Sequence, residues 1–284
     1  MADVLWINGR FTTTDERVLG VEDRGFLFGD AVYEVLKFLR KKPLFVSDHY
    51  RRLQSGLTEI EIPVPWSEEE FVTLLSELLS RSSFDDGVVY FEVSRGEEPR
   101  AHMWGKDLRP TAIAFSRAFR FPDAEKKRNG ISLITARDIR WGLCNVKSVN
   151  LLANALGKNM ARKAGANEVL FIRDKEVTEG ASSTFFAVRD GRIVTHPTGC
   201  EILSGTVRDH VISAALDERI RVDERPLRED ELFGLDEAFV TSTTQGVMPV
   251  TRIDQREVGD GTRGPMTTRL QKLFEEIERR EVES

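Results

Sequence analysis

The chain has 284 residues, 40% of them hydrophobic, and a formal charge of -6 at pH 7. This is enough apolar material for two ordinary domains, and it excludes a disordered protein. Acidic and basic residues are interspersed, which argues against a protein that binds nucleic acid or an anionic membrane. No apolar run approaches the roughly 20 residues that span a bilayer, and no signal-peptide pattern is visible. Two distant cysteines suit a reducing compartment, and we expect a cytoplasmic protein.

The first part of the chain has the pattern of strands and hairpins with two helices. Asn8-Gly9 is the two-residue turn of a first hairpin, and a second hairpin is predicted in AVYEVLKFLRKKPLFV. A helix is predicted through HYRRLQSGLTEI, and Ser67 and Glu70 have the spacing of a capping box at the start of the next helix. Two more strands, VVYFEVSRG and TAIAFSRAF, complete a small N-terminal domain, predicted as residues 1–120.

A second, larger domain is predicted over residues 131–284, after a charged linker, residues 121–130. A strand opens it, followed by a helix from about Ser148 to Ala164. Further strands are predicted at EVLFIRD, STFFAVRDG, RIVTHP and EAFVTSTT, and further helices start at SGTVRDH and PMTTRLQ. Strands and helices mix without regular alternation, which predicts the α+β class in two domains. The stripe predicted to pack into the core from the first of these helices is Val149, Leu152, Leu156 and Met160.

Several common site motifs are absent from the sequence. There is no G-x-G-x-x-G after a strand, no Walker A motif, no H-E-x-x-H and no G-x-S-x-G. The four histidines show no metal-ligand spacing, and we predict no metal site.

Lys147 lies between an apolar run and a helical one, with no carboxylate at helical spacing on either side. An unprotonated lysine amine attacks an aldehyde to form a Schiff base, although a lysine in a loop commonly just extends into water. Glu179 follows a hairpin and precedes an apolar strand, and a carboxylate that points inward there needs a donor or a cation. The protonated nitrogen of a pyridine ring, an electron sink, is such a partner. A turn glutamate in water is the alternative.

Three segments carry groups that bind anions. Gly205 and Thr206 stand at a predicted helix start, where free backbone N–H groups attract phosphate. Ser242 and Thr243 belong to a run of hydroxyl residues at the end of a strand, and Arg52 could add a pair of donors. Each segment also has an ordinary structural explanation, as a capped helix, a polar turn or a surface arginine. A phosphate group is one ligand that would use all three.

A site for a carboxylate is predicted in SRGEEPRAHMWG. Arg100 and His102 are two residues apart in an irregular segment that leaves a strand, so both side chains can face the same side. Arginine binds carboxylates through paired N–H donors, and Tyr33, on a predicted strand, is a candidate third donor. A polar loop without a binding role is the alternative.

Six segments taken together resemble one family. They are, in chain order, EDRGFLFGDAVYEV, SRGEEPRAH, DIRWGLCNVKSVNLL, TEGASSTFF, ILSGTVRD and FVTSTTQGVMPV. The chain is similar to the fold-type-IV pyridoxal-phosphate aminotransferases from about Trp6 to the C-terminal helix, and most closely to the bacterial D-amino-acid aminotransferases. The segments of Lys147 and Glu179 are shared by that superfamily. The segment of Arg100, together with Tyr33, is the narrower signature of the D-amino-acid branch.

The resemblance implies the two-domain α+β fold of that family and pyridoxal 5'-phosphate as cofactor. It makes Lys147 the Schiff-base lysine and proton carrier, and Glu179 the partner of the pyridine nitrogen. Leu203 would pack on the ring. The residues implied around the phosphate are Arg52, Thr206, Val207, Ser242 and Thr243, and those implied at the substrate carboxylate are Tyr33, Arg100 and His102. Because Arg100 and His102 would come from the neighbouring subunit, the resemblance also implies a homodimer with a shared active site.

The implied reaction moves an amino group from a D-amino acid, such as D-alanine or D-glutamate, to a 2-oxo acid, 2-oxoglutarate or pyruvate, by a ping-pong mechanism. A branched-chain L-aminotransferase or an (R)-amine transaminase is the alternative within the family. Outside it, the alternatives are a cofactor-free Schiff-base protein and a non-catalytic protein on the same scaffold. The chain departs from the family pattern at Thr206-Val207, where Ile-Thr is common, at Thr184 for asparagine and at Ala31 for glycine. None of these departures removes a residue that the chemistry requires.

Overall fold

The computed structural model describes residues 4–13, 15, 16 and 18–283, which form two compact units. Unit 1 holds the described residues of Met1–Arg120 and of Glu281–Ser284, together with the segment Val146–Asn150. Unit 2 holds Phe121–Asn145 and Leu151–Arg280. The predicted domain limits stay a prediction, because a compact unit is not by itself a domain that folds alone. In the part of the chain that is described, no helix is long and apolar enough to cross a membrane.

Unit 1 combines an antiparallel sheet with helices. Its elements are β1 (Leu5–Ile7), β2 (Arg10–Thr12), α1 (Arg24–Phe28), β3 (Ala31–Leu39), β4 (Lys42–Pro43), α2 (Val46–Glu59), α3 (Glu68–Arg81), β5 (Gly87–Ser94) and β6 (Thr111–Ala118). The strand order is β2-β1-β6-β5-β3-β4, and every neighbouring pair is antiparallel. Helix α2 packs on β3, and α3 packs on α2 and on β4 and β6.

Two local signals in unit 1 are confirmed. Asn8 and Gly9 have φ angles of 45° and 89°, and positive values at both central positions are those of a type I′ two-residue hairpin turn. At the start of α3, the Ser67 side chain accepts a hydrogen bond from the N–H of Glu70, and the Glu70 carboxylate accepts one from the N–H of Ser67. Both signals depend on residues within a few positions of each other, which is why the sequence displays them.

Strand β3 presents two different faces. Because side chains alternate along a strand, Val32, Glu34 and Leu36 lie on the face that is fully buried, and Tyr33 lies on the opposite, half-buried face. This alternation places a carboxylate, Glu34, in the layer between β3 and α2, while Tyr33 lies on the side of the sheet away from that layer.

Unit 2 is built on a mixed sheet. Its elements are α4 (Ala124–Asn129), β7 (Ile131–Arg137), α5 (Leu152–Lys163), β8 (Glu168–Arg173), β9 (Glu176–Gly180), β10 (Thr184–Arg189), β11 (Arg192–Thr195), α6 (Thr206–Asp217), β12 (Val222–Glu224), β13 (Leu227–Arg228), a 3-10 helix (Glu229–Gly234), β14 (Glu237–Ser242), β15 (Gly246–Ile253), β16 (Arg256–Glu257) and α7 (Pro265–Glu283), whose last residues belong to unit 1. The strand order is β12-β11-β10-β14-β15-β7-β8-β9-β13, with β16 paired to β15. The pairs β7–β8, β7–β15 and β11–β12 are parallel. Mixed sheets and helices confirm the predicted α+β class.

The predicted start of the helix at Ser148 is wrong, because α5 begins at Leu152. The preceding residues extend alongside β3: the N–H of Tyr33 donates to the carbonyl of Lys147, and the N–H of Val149 donates to the carbonyl of Ala31. These backbone hydrogen bonds compete with helix formation. In the predicted linker, residues 124–129 form α4, which the Asp123 side chain caps.

The predicted buried stripe of α5 is also wrong. Leu152, Leu156 and Met160 are exposed, Leu152 by 74%, and Val149 lies outside the helix. The helix packs on β8 through small residues instead, with Gly157 and Ala161 buried. A Cβ at Gly157 would lie only 2.8 Å from the Phe171 ring, so this close approach requires glycine. The apolar spacing therefore marks the face of α5 opposite to the core.

Candidate active site

Lys147 lies in unit 1, next to Tyr33. Its amine Nζ is 4.5 Å from the centroid of the Tyr33 ring, and its backbone carbonyl accepts a hydrogen bond of 2.9 Å from the N–H of Tyr33. Ser148 then forms a bridge with Val32. Within the described ranges, this amine makes no ion pair with a carboxylate. The structure thus holds the backbone of Lys147 by strand-like hydrogen bonds and leaves its amine against an aromatic ring.

Tyr33 belongs to an aromatic stack that sequence reasoning missed. Its ring stacks on Tyr90 with centroids 5.5 Å apart, and the hydroxyl of Tyr90 donates to Glu92 at 2.5 Å. Glu92 is directly opposite Tyr33 in the β3–β5 pairing. Burial raises the pKa of the Glu92 carboxyl, and the Tyr90 hydrogen bond opposes that rise only in part. Spacing along the sequence gives no sign of this cluster, because it is made by pairing across two strands.

Arg52 is engaged in a buried ion pair. Its Nε and Nη2 donate to the two carboxylate oxygens of Glu34 at 2.7 and 2.8 Å. His49 Nδ1 lies 2.7 Å from the same carboxylate. Glu34 is fully buried, and this partner of Arg52 was missed because it lies on a strand 18 positions earlier. The predicted contact of Arg52 with phosphate stays a prediction.

The electrostatics of this cluster follow from burial and from one dominant cation. Burial alone would raise the pKa of Glu34, but the charge and hydrogen bonds of Arg52, helped by His49, hold it well below its ordinary value. Burial lowers the pKa of His49, and Glu34 opposes this only in part, while Arg52 and Lys147 add to it. His49 is therefore neutral near neutral pH, with its Nδ1–H directed at Glu34 and its Nε2 buried without a hydrogen-bond partner in the described part of the chain.

Arg100 and His102 are brought together on one aromatic ring. The Arg100 guanidinium is 5.2 Å from the centroid of the Phe28 ring, and the His102 ring centroid is 5.7 Å from it. Both residues are exposed, in the segment between β5 and β6. Tyr33 shares none of these contacts, since its ring meets Tyr90 and Lys147. The pair predicted to bind a carboxylate is thus assembled, but separately from the predicted third donor.

Arg24 holds that segment in place, and sequence reasoning missed it. Its Nη1 donates to the carbonyl of Ala101 at 2.8 Å and to Glu98 at 2.9 Å, and its Nη2 donates to the carbonyl of His102 at 3.2 Å. Its Nε donates to Asp30 at 2.9 Å. Arg24 is itself buried. A single guanidinium therefore connects α1 to the carbonyl groups of Ala101 and His102, and so fixes the backbone that carries the His102 side chain.

Glu179 lies in unit 2, on β9, and is buried, so it is not the water-exposed turn glutamate of the alternative interpretation. Its Oε1 accepts hydrogen bonds from Arg140 Nη1 at 2.5 Å and from the backbone N–H of Leu203 at 3.1 Å. Arg140 also forms a two-point pair with Asp138, through Nε at 3.0 Å and Nη2 at 2.9 Å. The structure thus brings two predicted site residues, Glu179 and Leu203, into contact and orients the carboxylate from two directions.

Asp138 and Arg140, which support the Glu179 carboxylate, were missed by sequence reasoning. Burial alone would raise the pKa of Asp138, but the hydrogen bonds and charge of Arg140, with Arg173, lower it. An ionised Asp138 in turn anchors the guanidinium that reaches Glu179. The alternation of charges in the segment DIR was the available signal, because an aspartate and an arginine two residues apart after a strand can fall on the same side.

The predicted phosphate residues of unit 2 also converge. Helix α6 begins at Thr206 with Gly205 as its N-cap, and no side chain caps it, so its first N–H groups have no partner inside the helix. A Cβ at Gly205 would lie 2.8 Å from the hydroxyl of Thr184, and Thr184 pairs with Thr241 near the end of β14. The helix start therefore lies next to Thr184, and Thr184 lies opposite Thr241, the residue before Ser242.

Unpaired hydroxyl groups mark this place as suited to an anion. Thr241 Oγ1 and Ser242 Oγ are buried and have no hydrogen-bond partner among the described residues. Buried polar atoms are rarely left without one. Backbone N–H donors at the start of α6, with the helix dipole, supply the matching positive potential. These groups fit a phosphate.

The chain is similar to known proteins over most of its length. The family model Amino-transferase class IV matches residues 31–253. A D-alanine aminotransferase of Bacillus licheniformis is 39% identical over 268 residues, 94% of this chain and 94% of that protein. A D-alanine aminotransferase of Staphylococcus haemolyticus is 37% identical over 271 residues, 95% of this chain and 96% of that protein.

The fold is similar to solved structures as well. That of the T.th. branched-chain amino acid aminotransferase with pyridoxamine 5'-phosphate has a TM-score of 0.89 and 27% sequence identity, over 97% of this chain and 94% of that one. These similarities confirm the fold predicted from the resemblance, and the chain belongs to the Amino-transferase class IV family.

Proposed function

We propose that this transaminase uses pyridoxal 5'-phosphate to move the amino group of a D-amino acid to a 2-oxo acid. The observation that carries the choice of D-amino acids is the pair Arg100 and His102, held on Phe28 by the Arg24 hydrogen bonds. Such a pair binds a carboxylate from one side. The D-alanine aminotransferases that resemble the chain over 94–96% of their length support the same choice.

The residues of unit 2 fit the ring and the phosphate of this cofactor. When bound, pyridoxal phosphate supplies an aldehyde that takes up the amino group and a ring that withdraws electrons from Cα. Glu179 would keep a proton on the ring nitrogen, and its hydrogen bonds from Arg140 and Leu203 N–H hold it ready to do so. The N–H groups of Thr206 and Val207 and the hydroxyls of Ser242 and Thr243 would bind the phosphate. Arg52 would add charge there, and Leu203 would pack on the ring.

Lys147 would carry the cofactor aldehyde and move the substrate proton. Its Nζ would take the proton from Cα of the amino acid, as a general base. The absence of an ion pair at this amine within the described residues supports that role, because a salt-bridged amine is a poor base. Tyr33, Arg100 and His102 would bind the α-carboxylate and so decide which face of Cα presents its hydrogen to Lys147.

Donor specificity tests the proposal directly. We expect the purified protein to turn over D-alanine or D-glutamate with 2-oxoglutarate or pyruvate, and to use the L-isomers poorly. Lys147→Ala should abolish turnover together with the covalent attachment of the cofactor, which borohydride reduction and peptide mass spectrometry detect. Normal transamination by Lys147→Ala, or a protein that retains no pyridoxal phosphate absorbance after the free cofactor is removed by gel filtration, would contradict it.

A branched-chain aminotransferase is the second candidate, and the similarity to the solved T.th. structure favours it. Activity with L-leucine distinguishes the two candidate functions, because we propose that Arg100 and His102 bind the carboxylate of D-amino acids. Preferential use of L-leucine over D-alanine would replace the first proposal with this one.

A homodimer that works in the cytoplasm completes the proposal. The exposed stripe Leu152, Leu156 and Met160 is of the kind that a second subunit covers. Arg100 and His102 would then serve the site of the neighbouring subunit. Two unpaired cysteines, Cys144 and Cys200, suit a reducing compartment. Sedimentation analysis tests the dimer, and a monomer at micromolar concentration would contradict it.

A further inference from the structure

Three potential metal ligands meet in unit 2, among residues that the proposed reaction does not use. His196 follows β11, Glu201 lies in the next loop and Glu176 opens β9. One ligand atom of each lies within 4.8 Å of the others. Glu201 is five positions after His196 and Glu176 is 20 positions before it, so the spacing of the histidines alone, on which we predicted no metal site, does not reveal this group.

The two ring nitrogens of His196 have the surroundings that a metal ligand needs. The side chain is buried, with the residue only 6% exposed. Nδ1 lies 2.8 Å from the carbonyl oxygen of Pro197, and since a carbonyl only accepts, Nδ1 carries the proton. Nε2 is buried and has no hydrogen-bond partner among the described residues. A histidine that donates one N–H to a carbonyl and aims the other nitrogen at carboxylates has the arrangement of a metal ligand.

The distance between His196 and Glu201 also suits a small divalent cation. His196 Nε2 lies 3.4 Å from Glu201 Oε2, without the geometry of a hydrogen bond. Ligand bonds of about 2.0–2.2 Å around tetrahedral zinc place neighbouring ligand atoms roughly 3.3–3.6 Å apart. Glu176 and Glu201 are both partly exposed, which gives an ion a path to the site and leaves room for a water molecule as fourth ligand.

We propose that Glu176, His196 and Glu201 bind a divalent transition-metal ion, with Zn²⁺ as the best fit. One imidazole and two carboxylates favour zinc over Mg²⁺ and Ca²⁺, which take oxygen ligands. The ion would fasten the loop after β11 to the start of β9. That loop continues to Leu203 and, through the carbonyl of Glu201, contacts Arg140 at 3.1 Å.

Zinc binding by the cofactor-loaded protein tests the proposal. Tag-free protein is stripped with a chelator, titrated with ZnCl₂ by calorimetry, and its metal content is measured after gel filtration. We expect one tight Zn²⁺ per chain and much weaker binding of Mg²⁺ and Ca²⁺. His196→Gln should weaken zinc binding about a hundredfold or more, because a direct ligand matters at least as much as its supporting residues.

Matched variants keep the test decisive. Glu201→Gln and Glu176→Gln change half-exposed side chains, so they carry the test if His196→Gln fails to fold. Glu229→Gln and Cys200→Ser, both at exposed residues outside the trio, should bind zinc as the parent does. Zinc should also raise the Tm of the parent and of both controls but not of the three ligand variants. A parent without bound zinc, ligand variants that bind as tightly as the parent, or loss of binding in Cys200→Ser would overturn the site.

Discussion

Replacing Arg140 with methionine tests whether the support of Glu179 is a buried charge network. The change keeps much of the side-chain volume but removes five hydrogen bonds. Two of these go to Asp138 and one each to Glu179, to the Thr178 hydroxyl and to the carbonyl of Glu201. Asp138 and Glu179 each lose a cation while remaining buried.

The expected loss of unfolding free energy depends on which hydrogen-bond and ion-pair partners Asp138 and Glu179 keep in the variant. Removing one member of a buried ion pair costs about 3–5 kcal/mol of unfolding free energy. Asp138 keeps Arg173 at 3.0 Å, the Thr178 hydroxyl at 3.1 Å and the backbone N–H of residue 140 at 3.0 Å, and Glu179 keeps the N–H of Leu203. We therefore expect the lower end, about 3 kcal/mol near pH 7.

The stability difference between the parent and Arg140→Met should become smaller as the pH falls. In the parent, Arg140 holds the pKa of Asp138 below its ordinary value of 3.8, against the effect of burial. The stabilisation from ionised Asp138 is therefore present above that value and is lost as pH falls through the lowered folded-state pKa. Without Arg140 the pKa of Asp138 rises, and protonation relieves the stranded charge. The difference between parent and variant should shrink as pH falls from about 7 toward about 4.

Guanidinium denaturation of the cofactor-loaded proteins, at neutral and mildly acidic pH, measures this difference. The double variant Asp138→Asn, Arg140→Met removes a stranded carboxylate and should recover a substantial part of the loss. Arg140→Lys should recover little, because an ammonium cannot reproduce the two-point pairing. A loss below about 1 kcal/mol near pH 7, or a double variant less stable than Arg140→Met, would refute the reasoning.

Three further changes are expected to separate binding from folding. Arg24→Ala should raise the KM for D-alanine about tenfold or more, with less effect on kcat, because the segment of Arg100 loses its charged donor; steady-state kinetics with an unchanged KM would contradict this. Arg52→Met should cost about 3–5 kcal/mol in denaturation by stranding Glu34, and Glu34→Gln in the same chain should restore most of it; a double variant no more stable than Arg52→Met would argue against the pair. Gly205→Ala should raise the Kd for pyridoxal phosphate about tenfold, since its Cβ would meet Thr184 at 2.8 Å; a fluorescence titration with unchanged Kd would exclude that crowding.

Local sequence signals predicted the parts of the fold that depend on neighbours in the chain. The turn at Asn8-Gly9 and the capping box of Ser67 are of this kind. The helix α5 shows the limit, because the apolar period of Leu152 and Leu156 was visible but the face that it marks is exposed. The spacing of apolar residues predicts that a helix has an apolar face. Whether the core of the same chain covers that face depends on the tertiary structure.

The candidate site divides in the same way. The resemblance supplied Lys147 and Glu179 because their segments are contiguous motifs. Arg24 and Arg140 lie in segments of the same resemblance, but no role was predicted for them, because Arg24 contacts residues 74 to 78 positions away and Arg140 is 39 positions from Glu179. Such pairings arise when distant strands and loops meet, and charge spacing along the chain does not encode them.

Buried polar groups that maintain the fold are distinguished from candidate ligand-binding groups by whether they have an ion-pair or hydrogen-bond partner, and not by burial alone. The Arg140 guanidinium is buried but forms ion pairs with carboxylates of the same unit, so its burial is explained without a ligand. Ser242 Oγ and His196 Nε2 are buried and have no hydrogen-bond partner among the described residues. One unpaired buried atom is not sufficient to infer a ligand. In the described part of the chain Thr267 Oγ1 is also unpaired, but the Glu237 carboxylate beside it already accepts hydrogen bonds from two backbone N–H groups, so no group there is left for a ligand to bind together with this hydroxyl. What distinguishes the two candidate ligand sites is that several such groups lie together: two unpaired hydroxyls at the end of β14 next to the partner strand that the start of α6 contacts, and two carboxylates around His196. We infer a ligand where several unpaired polar groups lie together.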